Sequence, residues 1–405
     1  MNKSAVCALV LGLLAPSLSL AAPPRLAPAL DKKAPDFAAT ADKILGDVLG
    51  VKANEVVAID AEPTDLAMVE ALFVATGQRG ASPLTLIEWP VMHKKWLQVV
   101  PEGNDVTRVA MEEKLIPLVD VRIYIERADD PAFFSDVTPS RITAYEKGLA
   151  GLGEKRMKRK TRSVWLGNGL TPSKANARQL GVTEAELSAL FWAGLNTDYR
   201  ALGFRAEAVK KAVPETKQLV ITTPGGTNLK LRLKSKTLGV NDGVITPEEV
   251  KEGGARLLTW LPAGEVYALI DPSSAEGKLV VARHLFEGED VKDLTLIIKG
   301  GKITEMTAKP SKAFDRLKAL FEASPPGRDS LSVMDFGVNT DVKAPRGKQL
   351  LSFVPAGAVT FFVGRDGWAG GVNTTTFDMT LFLPDSTVTA DGKPVVEKGE
   401  LKVTE

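Results

Sequence analysis

The sequence predicts two halves of different class: an α/β N-terminal domain with a parallel sheet and crossover helices, then a β-rich α+β C-terminal domain. Three observations carry this expectation. Up to residue 213, short apolar runs alternate with helical stretches, the pattern of strand–helix–strand units. After Pro214, strand-like segments dominate, with one helical stretch at about 310–323. The chain has 405 residues, 44% hydrophobic and 25% charged, enough for two or three domains with large cores.

The elements follow in order. "FAATADKILGDVLGV" from residue 37 places Phe37, Ile44, Leu45 and Val48 on one helical face. "EVVAIDAE" (55–62), "PLTLIEW" (83–89) and "VDVRIYIE" (119–126) read as strands. Between the first two, "TDLAMVEALFVATGQRG" (64–80) reads as a helix stopped by glycine. The basic run "GEKRMKRKTR" (153–162) reads as a solvated helix face. Residues 181–213 read as helical throughout, with Thr183 and Glu186 in capping-box spacing. "KQLVITTPGGTNLKLRLKSK" (217–236) reads as two strands around a PGG turn. "KLVVARHL", "LTLIIKGGKITEMTA", "GAVTFFVG" and "TTFDMTLFLP" read as strands. The domain boundary is placed near 214, giving domains at 37–213 and 214–405.

The N-terminus has the layout of a secretory signal: Lys3, the apolar run "AVCALVLGLLAPSLSL", and small residues before a cleavage site near Ala21 or Ala22. Residues 1–21 are therefore expected to be removed, leaving a Pro- and Ala-rich leader at 22–36. The apolar run is short for a membrane span and holds Pro16. Cleavage removes Cys7, the single cysteine, so no disulfide or thiol chemistry remains. An export signal on a cysteine-free chain fits a bacterial periplasm or exterior. With 51 basic and 50 acidic residues, no basic field points to nucleic acid.

Few residues offer chemistry. His93 and His284 are the two histidines, neither has a second histidine at ligand spacing, and there is no H-E-x-x-H or G-x-S-x-G. "TPGGT" (223–227) lacks the Gly-Lys-Ser/Thr of a phosphate loop and reads as a hairpin turn. What remains are carboxylates beside turns: Glu265 in "LPAGEVY", Asp335 in "VMDFGVNT" and Asp378 in "TTTFDMT".

These segments also carry a resemblance. "TTPGGTNLKLRL", "LPAGEVYALIDPSSAEGKLVV", "DLTLIIKGGKI", "MDFGVNTDV" and "AGAVTFFVGRDGWAGGVNTTTFDMTLFLPDSTVTADGKPV" resemble, in order and spacing, the peptidase M29 family of thermophilic aminopeptidases, over about residues 40–400. The resemblance implies a thermophilic metalloprotease-like fold, a homodimer around an enclosed cavity, and a two-metal site. The implied ligands fall on Glu265, which is kept, and on Asp335, a shorter acid than the family's Glu. The family's first His falls on Thr360, its Tyr near Gly367 or Trp368, and its H-x-D pair on Asp378 and Thr380.

A two-metal peptidase uses its ions to polarise the peptide carbonyl and to make hydroxide near neutral pH, with the ions about 3.5–4 Å apart. Three carboxylates without imidazole do not suit a dinuclear Zn or Co centre. They suit no metal, or one hard ion: Ca²⁺, Mg²⁺ or Mn²⁺. The expectation is thus an exported, non-catalytic M29-like protein with a degenerate metal site that binds peptides. Beside it stand an active aminopeptidase with a carboxylate-based metal site centred on Glu265, which would release N-terminal amino acids, and a hydrolase of other chemistry on the same scaffold. If metal chemistry survives, Glu265, Asp335 and Asp378 are expected to converge. Whether His93 or His284 joins them is left open by the sequence.

Overall fold

A computed structural model describes residues 35–403, apart from 105–106, 127–132, 135, 216, 235–237 and 347. The segment expected to be a cleaved signal, residues 1–21, lies outside the described residues. Numbered in chain order, β1 (Val56–Ala61), β2 (Ser82–Ile87), β3 (Val121–Ile125) and β4 (Arg162–Leu166) form a parallel sheet with β8 (Leu258–Leu261). Their order is β2-β1-β3-β4-β8. The sheet therefore draws its last strand from beyond residue 214, where the boundary was placed. That strand leads through Pro262 directly into the strand that carries Glu265.

The parallel sheet has two unlike faces. Val57, Ile59, Val121, Ile123 and Val164 are fully buried on one. The other carries Asp60, Arg122, Tyr124 and Trp165, because successive side chains alternate across a strand. Arg122 donates to both Asp60 oxygens and to Glu112 on the helix Thr107–Leu115, and Arg156 also donates to Glu112.

Two antiparallel sheets complete the chain. One runs β12-β11-β10-β6-β5-β16-β17-β18. Its strands are β5 (Leu219–Thr222), β6 (Asn228–Leu231), β10 (Glu276–Phe286), β11 (Glu289–Lys299), β12 (Lys302–Thr307), β16 (Thr387–Ala390), β17 (Lys393–Glu397) and β18 (Glu400–Leu401). The other holds β7 (Gly239–Asn241), β9 (Glu265–Leu269), β13 (Leu331–Gly337), β14 (Val359–Gly364) and β15 (Asp378–Phe382), in the order β15-β14-β13-β9-β7. The apolar core is continuous, from Leu45 and Leu72 through Leu187 and Leu202 to Phe336 and Phe361. Each such side chain contributes roughly 1.5–3 kcal/mol of burial energy.

Two local expectations are corrected. Residues 181–213 form two helices, Glu184–Leu195 and Tyr199–Ala212, because the Asp198 carboxylate caps the second by accepting from the Arg200 and Ala201 amides. The Thr183–Glu186 capping box is present. The basic run is not simply a solvated face. Its helix ends at Arg159, and the chain turns at Lys160 with φ 62°. Arg162 thus falls on β4, buried, donating to the Leu49 and Gly50 carbonyls. The helix Lys312–Ala323 lies where the sequence placed it.

Candidate functional site

The sheet β15-β14-β13-β9-β7 decides what the site is made of. Its core face is Val266, Ala268, Met334, Phe336, Phe361, Val363 and Leu381, all buried. Residues directly opposite on neighbouring strands share a face. The other face therefore carries the row Gly239, Tyr267, Asp335, Thr360, Phe382. Next to it runs a second row, with Asn241 opposite Glu265 and Glu265 opposite Gly337. Two glycines make this arrangement possible. A Cβ on Gly239 would lie 2.4 Å from the Tyr267 ring. Gly264, at φ 137°, brings the backbone before Glu265 so close to Asn339 that a Cβ would lie 2.6 Å from that of Asn339.

Glu265 and Asp335 meet at a cavity of 200 Å³ walled by Trp260, Tyr267, Phe353, Phe362 and Trp368. The Trp368 ring packs 4.8 Å from that of Phe362 and 5.2 Å from that of Tyr267. Phe353 stacks parallel to Phe362 at 5.7 Å. Glu265 Oε2 accepts from Asn241 Nδ2 at 2.6 Å and from Asn168 Nδ2 at 3.2 Å. Asn241 is itself pinned, donating to the Trp260 carbonyl and accepting from Thr259 Oγ1 and the Trp260 amide. Asp335 is buried, and its Oδ1 has no hydrogen-bond partner among the described residues.

The electrostatics follow from this enclosure. Burial pushes Glu265 up to about 7 against the two amides that favour its charged form. Burial first, then the charge of Glu265, raises Asp335 well above the usual carboxylate range. Burial and the same two acids raise Tyr267 to about 12. The pair therefore favours a proton or a cation between the carboxylates over two bare charges.

Asp378 does not join them. It lies on the same face but on the edge strand, four residues along from Phe382, the partner of Thr360. At 3.3 Å per residue that is about 13 Å away. It instead accepts from Arg365 Nη2 at 2.7 Å, and both side chains are more than half exposed. The expected convergence of three carboxylates is thus corrected to two. Thr360 is buried opposite Asp335, whereas Thr380 pairs with Phe362. Neither histidine reaches the cavity. His93 lies at the end of the parallel sheet beside Phe134. His284 lines a separate cavity with Asp378 and Thr380, and burial lowers it to about 4 despite a hydrogen bond to the Thr380 backbone. Among the described residues, no group of three His, Cys, Asp or Glu side chains could hold a metal.

The family model of the thermophilic metalloproteases (M29) matches residues 35–325. Wild-type AmpT from Thermus thermophilus superposes with a TM-score of 0.64 at 17% identity, over 91% of this chain and 99% of that one. The 2,5-dihydroxypyridine dioxygenase of Pseudomonas putida KT2440 superposes with a TM-score of 0.57 at 16% identity, over 91% and 97%. No curated protein matched the sequence. At such identities the two structures establish the fold. A fold shared with a dioxygenase does not fix the chemistry, which has to be read from the site.

Proposed function

The chain belongs to the thermophilic metalloprotease (M29) family, and from this premise we propose that it is an exported, non-catalytic member whose remodelled centre binds peptides. One observation carries the reading. Glu265 and Asp335 meet in an aromatic-walled cavity while Asp378 is drawn away to Arg365. A dinuclear hydrolytic centre does not fit this donor set. Two carboxylates remain, one oxygen of Glu265 is committed to two amides, and Trp368 stands beside the space. The two-ion chemistry of such a centre, in which the ions make hydroxide near neutral pH and polarise the peptide carbonyl together, has no ligand set here.

What the site retains is recognition. Its 200 Å³ is below the usual range for whole small ligands, about 300–1,000 Å³, and suits one apolar side chain. The acid pair on its floor suits the ammonium group of a peptide N-terminus. The signal-like N-terminus supports export, and the family resemblance supports a homodimer. A second reading draws on the unpartnered Oδ1 of Asp335. There, one hard divalent ion held by Asp335 and Glu265 would serve an aminopeptidase of altered site.

The test pairs turnover of aminoacyl-nitroanilides in Zn²⁺, Co²⁺ and Mn²⁺ with calorimetric titration of short peptides bearing an apolar N-terminal residue. The expected result is saturable binding, weakened by Asp335→Asn, and no turnover in any metal. Metal-dependent turnover abolished by Glu265→Gln would establish the second reading instead.

A further inference from the structure

The sheet face that carries the acid pair continues past Phe353 into a second cavity. Asp335, Thr360 and Phe382 stand opposite one another on β13, β14 and β15. Neighbouring strands lie about 4.8 Å apart, so Phe382 stands about 10 Å from Asp335. Phe382 lines a cavity of 380 Å³, and Phe353 walls both this cavity and that of the acid pair. The Phe353 ring stacks on Phe362 on the acid side and meets Phe382 edge-on at 4.9 Å on the other. Phe362 in turn pairs across the ladder with Thr380, which lines the second cavity. The two spaces are neighbours on one sheet face, with the Phe353 ring between them.

The second cavity is apolar and electrically balanced. Leu285 and Phe286 of β10, Leu317 and Leu320 of the helix Lys312–Ala323, Leu351 and Phe382 supply its walls. Each charged side chain that lines it has an opposite partner: Arg283 with Asp290, Glu287 with Arg316, and Asp378 with Arg365. The lining therefore favours neither sign of charge, and burial of apolar surface is what it can reward. Leu320 is 49% exposed, apolar surface that a ligand would cover. Gln179 and Thr380 add neutral hydrogen-bonding groups, which suit peptide amides. A volume of 380 Å³ falls within the usual range for ligand pockets, about 300–1,000 Å³.

Spacing sets which part of a peptide arrives there. An extended chain advances about 3.3–3.6 Å per residue, so three residues span about 10 Å. The first and third side chains of such a chain fall on the same side. We infer that this cavity is the second half of one peptide site, an assignment that rests on the peptide-binding reading above. The N-terminal ammonium group sits at Asp335 and Glu265, and the first side chain enters the aromatic cavity. The second residue passes Phe353, and the third places an apolar side chain between β10, β15 and the helix Lys312–Ala323.

The experiment is calorimetric titration of the purified protein with three peptide amides: Leu-Ala-Leu, Leu-Leu-Ser and Leu-Ala-Ser. Leu-Ala-Leu amide is expected to bind about tenfold more tightly than the other two, which should bind alike. Leu320→Asp, at a half-exposed position, should bring Leu-Ala-Leu amide down to the level of Leu-Ala-Ser amide and leave the latter unchanged. Asp335→Asn should weaken all three together. Should Leu320→Asp melt early, the comparison of the three peptides on the unaltered chain decides. Equal affinity for all three, a preference for Leu-Leu-Ser amide, or an undiminished preference in folded Leu320→Asp would overturn this assignment and leave the peptide-binding reading standing. No binding of any of the three would overturn that reading and this assignment with it.

Discussion

Asn241 and Asn168 show what single residues do here. Each gives an amide N–H to Glu265 Oε2, and Asn241 is locked by three further bonds. Asn241→Ala would leave the buried Thr259 hydroxyl without its acceptor and Glu265 with one amide in place of two, at about 1–3 kcal/mol in all. Chemical denaturation of the variant should show a loss of that order, and an unchanged midpoint would remove Asn241 from the account. The acids also set a pH dependence. Glu265 is raised from 4.5 to about 7 in the fold, so the native state holds a proton that the unfolded chain releases. Its stabilising contribution is full below 4.5 and is lost as pH rises to about 7, while raised Asp335 extends the loss upward. The melting temperature is expected to fall between about pH 5 and pH 8, and Glu265→Gln should flatten the lower part of that slope. A melting temperature that rises across the window would contradict this.

At the scale of elements, strand alternation explains both what the sequence reveals and what it hides. Glu265 and Asp335 could be picked out because each stands beside a glycine in a strand-like run, and their strands are neighbours. Asp378 looked equivalent locally. Its distance from the pair depends on the register of β15 against β14, which no local pattern encodes. The amides that hold Glu265 come from 24 and 97 residues away, so sequence proximity could not flag them. The break at Asn196–Asp198 has no glycine or proline to mark it. The polar face of the parallel sheet was legible in principle: "VRIYI" alternates apolar residues with Arg122 and Tyr124. What no strand pattern supplies is the partner, Glu112 on a helix. Arg122→Ala would strand Asp60 and Glu112 as buried charges, costing about 3–5 kcal/mol. Urea unfolding tests this, and a loss below about 1 kcal/mol would make the network a surface-like pair instead.

For the whole molecule, the fold class followed from two patterns, strand–helix alternation and then strand upon strand. The extent of mixing between the halves did not. β8 returns to the parallel sheet and leads straight into β9, so Trp260, the partner of Trp165 in the parallel sheet, also walls the cavity of the acid pair. Asn168 touches both sides, its backbone amide on Glu126 and its side chain on Glu265. The family fold is intact, and the proposed function places what sets this chain apart in the few residues that face the acid pair. The most direct test of that claim is the metal stoichiometry of the purified protein, measured by native mass spectrometry and elemental analysis after incubation with excess Zn²⁺ or Co²⁺ and removal of free metal. Fewer than two ions per chain is the predicted result, with any single ion lost in Asp335→Asn. Two zinc or cobalt ions per chain would contradict it.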